Sequence, residues 1–286
     1  MWQALILLSA VFKAGYDINI KRVLNKEHTT EAITLINILG LLILLPFIFR
    51  INFNQEPFIL LLILLRTFIF LTGDLLFYKA LRHSDLSIVT PFYNLSPIFL
   101  IFLSFFVLGE VLTFVEFGGI MLLVLGSFLL KNESTSTKDH QKFVKSKYFY
   151  YVIGALFLWS LSATTSKYVS SYINSLDLLF FTMMFASAIL LLYHSLNYDG
   201  ILGIYDGFKK NKSALLLSSV CYLVFAGLYY TAMTLPGTKI SLIIPLLRFS
   251  VFLDILIGGS FFHEQDILKK VSASAVMLLG TIIILI

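Results

Sequence analysis

The chain has 286 residues; 58% are hydrophobic and only 13% charged, about half the usual charged share of a soluble domain. With a mean hydropathy of +0.91, this composition excludes a soluble enzyme, a nucleic-acid binder, a disordered tail and an outer-membrane barrel, whose alternating strands score low. The net charge of +5 comes from basic residues spread over loops between apolar runs, and the single cysteine, Cys221, excludes a disulfide framework.

Ten spans follow in chain order, at about 2–24, 31–49, 57–80, 86–108, 111–130, 148–170, 176–196, 213–235, 239–262 and 267–286. Continuous apolarity without a period of two makes them helices, because hydrocarbon offers a backbone no hydrogen bonds. The first span carries Lys13 and Asp17. It lacks the basic start and small-residue cleavage site of a signal peptide, so it is expected to be a true helix with its charged side facing protein. The polar run KNESTSTKDHQKFVKSK at 131–147 cannot bury itself and reads as a linker. The expected domains are therefore 1–130, a linker at 131–147, and 148–286.

The second half repeats the first. Ser87-Ile-Val-Thr-Pro91 resembles Ser241-Leu-Ile-Ile-Pro245, an offset of 154 residues. The same offset carries Leu108-Gly109-Glu110 to Phe262-His263-Glu264 and Val124-Leu125-Gly126 to Leu278-Leu279-Gly280. Five helices per half is an odd number, so the second half must enter from the opposite side. The expected fold is all-α, a polytopic membrane protein of ten transmembrane helices in two inverted five-helix repeats. Such a pair has two states of near-equal energy, the physical basis of alternating access.

Three basic residues look intramembrane: Lys13, Arg66 and Arg248. Of the other eighteen, fifteen follow odd-numbered spans; Arg50, Lys167 and Lys239 do not. Cytoplasmic loops collect Lys and Arg, which places both termini outside, in a multi-pass cell (inner) membrane protein.

Taken together, Pro91, Gly109-Glu110 and Gly126 in the first copy, with Pro245, Glu264 and Gly280 in the second, resemble the EamA-type branch of the drug/metabolite transporter superfamily. The resemblance implies secondary transport of a small metabolite, often export of an amino acid or related solute. The first span departs from it: where a Trp-Gly pair is common, this chain has Phe12-Lys13-Ala14-Gly15, although the second copy keeps Trp159.

A charge at the bilayer centre costs at least ~2.5–3.5 kcal/mol, so each one needs a reason. Lys13 and Asp17 share a helix face and are either a self-neutralising pair or an anion site with a proton-exchanging partner. Arg66 and Asp74 are eight residues apart, some ~12 Å of rise, and each is expected to meet another helix or the cavity. Arg248 follows Pro245 by one turn, as Asn94 follows Pro91. Paired proline-interrupted spans point to a transport site, so Arg248, Asn94, Lys13 and Trp159 are the substrate-binding candidates. Asp17, Asp74, Arg66 and Asp254 are the proton-coupling or charge-pair candidates. Glu110 and Glu264 end their spans and are expected to cap the helix that follows, or to gate.

The hydroxyls around Trp159, and the small residues Gly118, Gly119 and Gly126 with Ser272, Ala273, Ser274 and Gly280, read as packing surfaces within the chain or in a homodimer. The five histidines have no ligand spacing, and no GxxxxGK[ST] loop occurs. Neither a metal nor a cofactor is expected, and the partners are a small-molecule substrate and the bilayer, with no nucleic acid. The favoured activity is a secondary transporter, an exporter of a small polar metabolite such as an amino acid or organic anion, with a central cavity between helices one, three, four, six, eight and nine. A membrane-embedded lipid-modifying enzyme or a channel is the alternative.

Overall fold

The computed structural model describes residues 1–24, 29–82, 95–129, 143–197, 200–250, 253, 276 and 279–284. All regular structure among them is helical. Helix α1 is Trp2–Leu24, α2 Thr29–Leu44 with a 3-10 extension Leu45–Arg50, α3 Pro57–Arg82, α4 Ser96–Leu108, and α5 Phe114–Leu129. In the second half, α6 is Lys147–Val169, α7 Ser175–Asn197, α8 Gly200–Thr234, and α9 Ile240–Leu247. Residues 279–284 form α10. Each helix overlaps a predicted span, though α8 begins at Gly200, well before 213, and the described residues are all-α.

Among the described residues five helices have the length and apolarity to cross a bilayer: Thr30–Arg50, Pro57–Phe77, Lys147–Val169, Ser175–Asn197 and Asn211–Thr234. A break at Asn211 (φ −129°, ψ 29°) separates that last span from the more polar turns before it in α8. Helix α1 is equally long, but Lys13 and Asp17 dilute its apolarity. Helices α4 and α5 are shorter and strongly apolar.

The helices sort into two compact units, each drawing on both halves of the sequence. One holds Met1–Phe68 and Val169–Pro236; the other holds Ile69–Tyr168 and Gly237–Ile286. In the first, α8 packs against α1, α2 and α7, and α2 packs against α7. Its apolar centre is Ala32, Leu35, Ile36, Leu39 and Leu215. The turn at 51–56 meets the start of α7 there. Asp177, fully buried, accepts hydrogen bonds from the Asn52 N–H at 3.2 Å, Gln55 Nε2 at 3.0 Å and Asn174 Nδ2 at 2.7 Å.

In the second unit α9 packs against α4 and α5, and Ala80, Phe143, Val152 and Leu156 form a separate core. Helices α5 and α10 approach through their backbones. A Cβ on Gly280 would stand 2.7 Å from the Gly119 carbonyl oxygen and 2.8 Å from the Leu123 nitrogen. One on Gly119 would meet Ile284 at 2.8 Å, whereas one on Gly118 meets nothing within 4 Å. Gly119 and Gly280 therefore serve packing within the chain, as small residues do between membrane helices.

Several hydroxyl groups in the spans bond locally. Ser160, Thr164, Thr165 and Ser166 each donate to the carbonyl four residues back, at 2.7–2.9 Å, as do Thr34, Thr67 and Ser219.

The glycine contact makes a sharp prediction. Gly280→Ala destabilises the purified protein by about 1–3 kcal/mol through overpacking, read as a lower melting temperature. Gly118→Ala leaves it unchanged within error.

Candidate functional site

The intramembrane charges use different partners. In the first unit Lys13 and Asp17 lie one turn apart on α1 and form an ion pair, Nζ to Oδ2 at 2.5 Å. The lysine the sequence put forward as an anion site therefore already holds a carboxylate. Arg66, 4% exposed, donates to the hydroxyls of Thr182 on α7 and Tyr230 on α8, the latter at 3.0 Å. Its guanidinium carbon stands 5.5 Å from the centre of the Tyr230 ring, a cation–π distance. Arg66 thus ties α3 to α7 and α8.

The second unit assembles a polar track from four helices. On α3, Asp74 accepts a hydrogen bond from Trp159 Nε1 on α6 at 2.9 Å. Gly73 makes room for that indole, since a Cβ there would be 2.9 Å from its Cδ1. Phe77, one turn from Gly73, packs on the indole with ring centroids 4.9 Å apart. Next along α6, the Ser160 hydroxyl, whose one proton the Leu156 carbonyl shares at 2.8 Å, stands 3.2 Å from the Ser96 carbonyl, and Ser96 opens α4. Arg248 ends α9 and donates through Nη2 to Ser96 Oγ at 2.7 Å. Pro245 sits inside α9, one turn before.

The track runs from a carboxyl group, through an indole and two serines, to a guanidinium. Ser96 and Ser160 are 4% and 3% exposed. Asp74 makes no ion pair among the described residues. Its one hydrogen-bond donor there is the neutral indole, so the carboxylate keeps acceptor capacity.

A second polar group gathers where α4, α5, α6 and α9 meet the loops after even-numbered spans. Gly109 ends α4 in the left-handed conformation (φ 67°), a turn suited to glycine, and Glu110 follows it. The Glu110 carboxylate accepts from the Ile240 and Ser241 N–H groups at 2.7 and 3.1 Å and from the Ser241 hydroxyl at 2.6 Å. Glu110 thus caps α9, a helix 130 residues away, whereas the sequence led us to expect it on the helix that follows.

That following helix, α5, has a capping box of its own. Thr113 N–H donates to Glu116 Oε2 at 2.6 Å, and Glu116 N–H donates to Thr113 Oγ1 at 3.2 Å. Lys239 donates to both Glu116 oxygens at 2.8 Å. Lys167, at the end of α6, donates to Thr238 Oγ1 at 2.5 Å and lies within the field of Glu110.

Of the sequence candidates, Arg248, Trp159, Asp74 and Pro245 come together in the second unit, and Lys13, Asp17 and Arg66 stand in the first. Asn94, Pro91, Asp254 and Glu264 lie outside the described residues. Ser96, Glu116, Lys239 and Thr238 were not anticipated as site residues. The Thr113-x-x-Glu116 pattern was readable, but partners on distant helices leave no local signal. No group of three or more metal-ligating side chains occurs among the described residues.

The EamA-like transporter family matches over residues 1–131 and again over 146–286. The chain belongs to the EamA-like transporter family. The double match follows the repeat seen in the sequence and makes this a multi-pass membrane transporter of the drug/metabolite type, with two-repeat, ten-helix architecture. A solved structure, described only as the crystal structure of a protein, superposes on 98% of this chain and 95% of that chain, with a TM-score of 0.73 at 14% identity. A likeness at that identity shows the fold alone. Among curated proteins nothing matches.

The Asp74–Trp159 contact in this EamA-like transporter is testable by deletion. Trp159→Phe leaves a carboxylate without its donor and destabilises by about 1–3 kcal/mol. Pairing it with Asp74→Leu recovers much of that loss in a detergent melting curve.

Proposed function

We propose that the protein exports a small polar metabolite carrying both charges, of the amino-acid type, across the cell (inner) membrane by alternating access. The observation that carries this reading is the track from Asp74 through Trp159, Ser160 and Ser96 to Arg248. A guanidinium is suited to grip a carboxylate through two N–H groups. Asp74, opposed only by an indole among the described residues, is suited to an ammonium. Phe77 and Trp159 supply an aromatic wall for the solute's apolar part.

The two family matches support a rocking mechanism, because inverted repeats give inward- and outward-open states of similar energy. The driving force is a solute gradient or proton exchange through a membrane carboxylate. Lys13 and Asp17 act in this reading as a neutralised pair that lets α1 enter the bilayer. The excess of Lys and Arg in loops after odd-numbered spans supports an orientation with both termini outside.

Reconstitution decides the function. Proteoliposomes screened with labelled amino acids, nucleotides and organic anions are expected to show saturable uptake of an amino acid and accelerated exchange when preloaded with the same solute. A channel shows no such counterflow, and a lipid-modifying enzyme yields a changed lipid. Arg248→Gln and Asp74→Asn each reduce amino-acid flux about 10- to 100-fold, the worth of one charge-assisted hydrogen bond. Wild-type flux in both variants would remove the proposed site.

Orientation is checked separately in a Cys221→Ser background. A membrane-impermeant maleimide applied to whole cells is expected to label single cysteines at Asn54 or Tyr172. It should spare those at Lys145 or Lys209.

A further inference from the structure

Helices α4 and α9 are tied at both ends. At one end Ser96, the first residue of α4, receives Arg248, which closes α9. At the other, Glu110 follows the end of α4 and binds the first two N–H groups of α9. The two helices are therefore antiparallel, and the two ties set their register.

Helix α9 is poorly equipped to hold that register alone. Its eight residues, Ile240–Leu247, rise about 12 Å before Arg248 interrupts the helix as a turn, and residues 249–250 are helical again. Pro245 lies inside it, so one rung of its short ladder is missing. Its N-cap residue, Lys239, makes no side-chain cap. The orphan donors of its first turn are satisfied from outside, by Glu110, while the Lys239 side chain reaches Glu116 instead.

We infer that Glu110 is a positioning residue for Arg248. By clamping the N-terminus of α9, it fixes where this segment delivers the guanidinium, at the turn that interrupts the helix. A change at the loops after spans four and eight then reaches the binding site through α9. Glu110 itself touches no solute. The inference rests on reading Arg248 as a solute contact, and its test has an arm that does not.

The first arm measures uptake of a labelled amino acid into proteoliposomes by the wild type, Glu110→Gln, Glu110→Asp, Arg248→Gln and the Glu110→Gln/Arg248→Gln double variant. Glu110→Gln is expected to raise KM about 10-fold with Vmax nearly kept, and Glu110→Asp to restore much of the affinity. In the Arg248→Gln background the second substitution adds less than about 2-fold, because residues acting through one another are not additive. Effects that multiply, or a loss of Vmax at unchanged KM, overturn the inference.

The second arm is a thermal-melting cycle on purified protein without solute. Ser96→Ala lowers the melting temperature in the wild type and is expected to be silent in Glu110→Gln, where Arg248 has already left Ser96. Additive losses overturn the inference. Should Glu110→Gln not fold, Ser241→Ala replaces it in both arms, since it removes one donor to Glu110 and leaves the carboxylate in place. If Arg248→Gln transports like the wild type, the solute-contact reading fails, and the melting cycle still decides whether Glu110 positions Arg248.

Discussion

A bilayer offers no water to a polar group, and this one constraint shapes most of what the chain does. Each N–H and C=O in the hydrocarbon must find a partner inside the protein. Helices meet the demand for the backbone, and the serines and threonines of α6 meet it for themselves by bonding to the previous turn. Ionised side chains are harder to place. Lys13 takes a carboxylate one turn away. Arg66 takes two hydroxyls and an aromatic face. Asp74 takes an indole N–H. The first solution pairs opposite charges, while the hydrogen bonds of the other two come from neutral groups.

Duplication and compactness divide the chain differently. The family matches follow the halves, at 1–131 and 146–286. The compact units each take segments from both: α1 and α2 with α7 and α8 in one, α4 and α5 with α6, α9 and α10 in the other, while α3 contributes to both. Helices of one half thus find their packing partners in the other. All five residues of the polar track fall within the second unit, as does the Glu110 clamp. The track is therefore built from both halves of the sequence, α3 and α4 from the first and α6 and α9 from the second.

The fold was legible in the sequence because apolar length and landmark spacing are local properties. Lys13–Asp17 was legible too, since four residues of separation dictate a shared face. Arg248 and Trp159 stood out by being polar or bulky at repeat landmarks. What escaped was pairing between distant residues. Ser96 looks like any serine in an apolar span until Arg248 arrives from 152 residues away. Glu116 looks like a simple capping residue until Lys239 reaches it. Glu110 showed its chemistry, an anion at a helix N-terminus, but not its address. The helix it caps is set by the turn at Gly109 and by tertiary packing, and neither has a period that a sequence window can register.

The separation of Asp74 from Arg248 bears on the proposed mechanism. A direct buried ion pair would satisfy both groups, and its attraction would have to be broken before either could bind a solute. Here Asp74 takes the Trp159 indole and Arg248 bonds the Ser96 hydroxyl. A hydrogen bond to a neutral group is weaker than one between ions, so a solute bearing both charges can exchange with it at modest cost. The desolvation of the two side chains was already met when the protein folded, and a zwitterion gains from charges held in advance. On the proposed reading, Trp159 and Ser96 hold the two side chains in place with bonds to neutral groups, which a solute can replace.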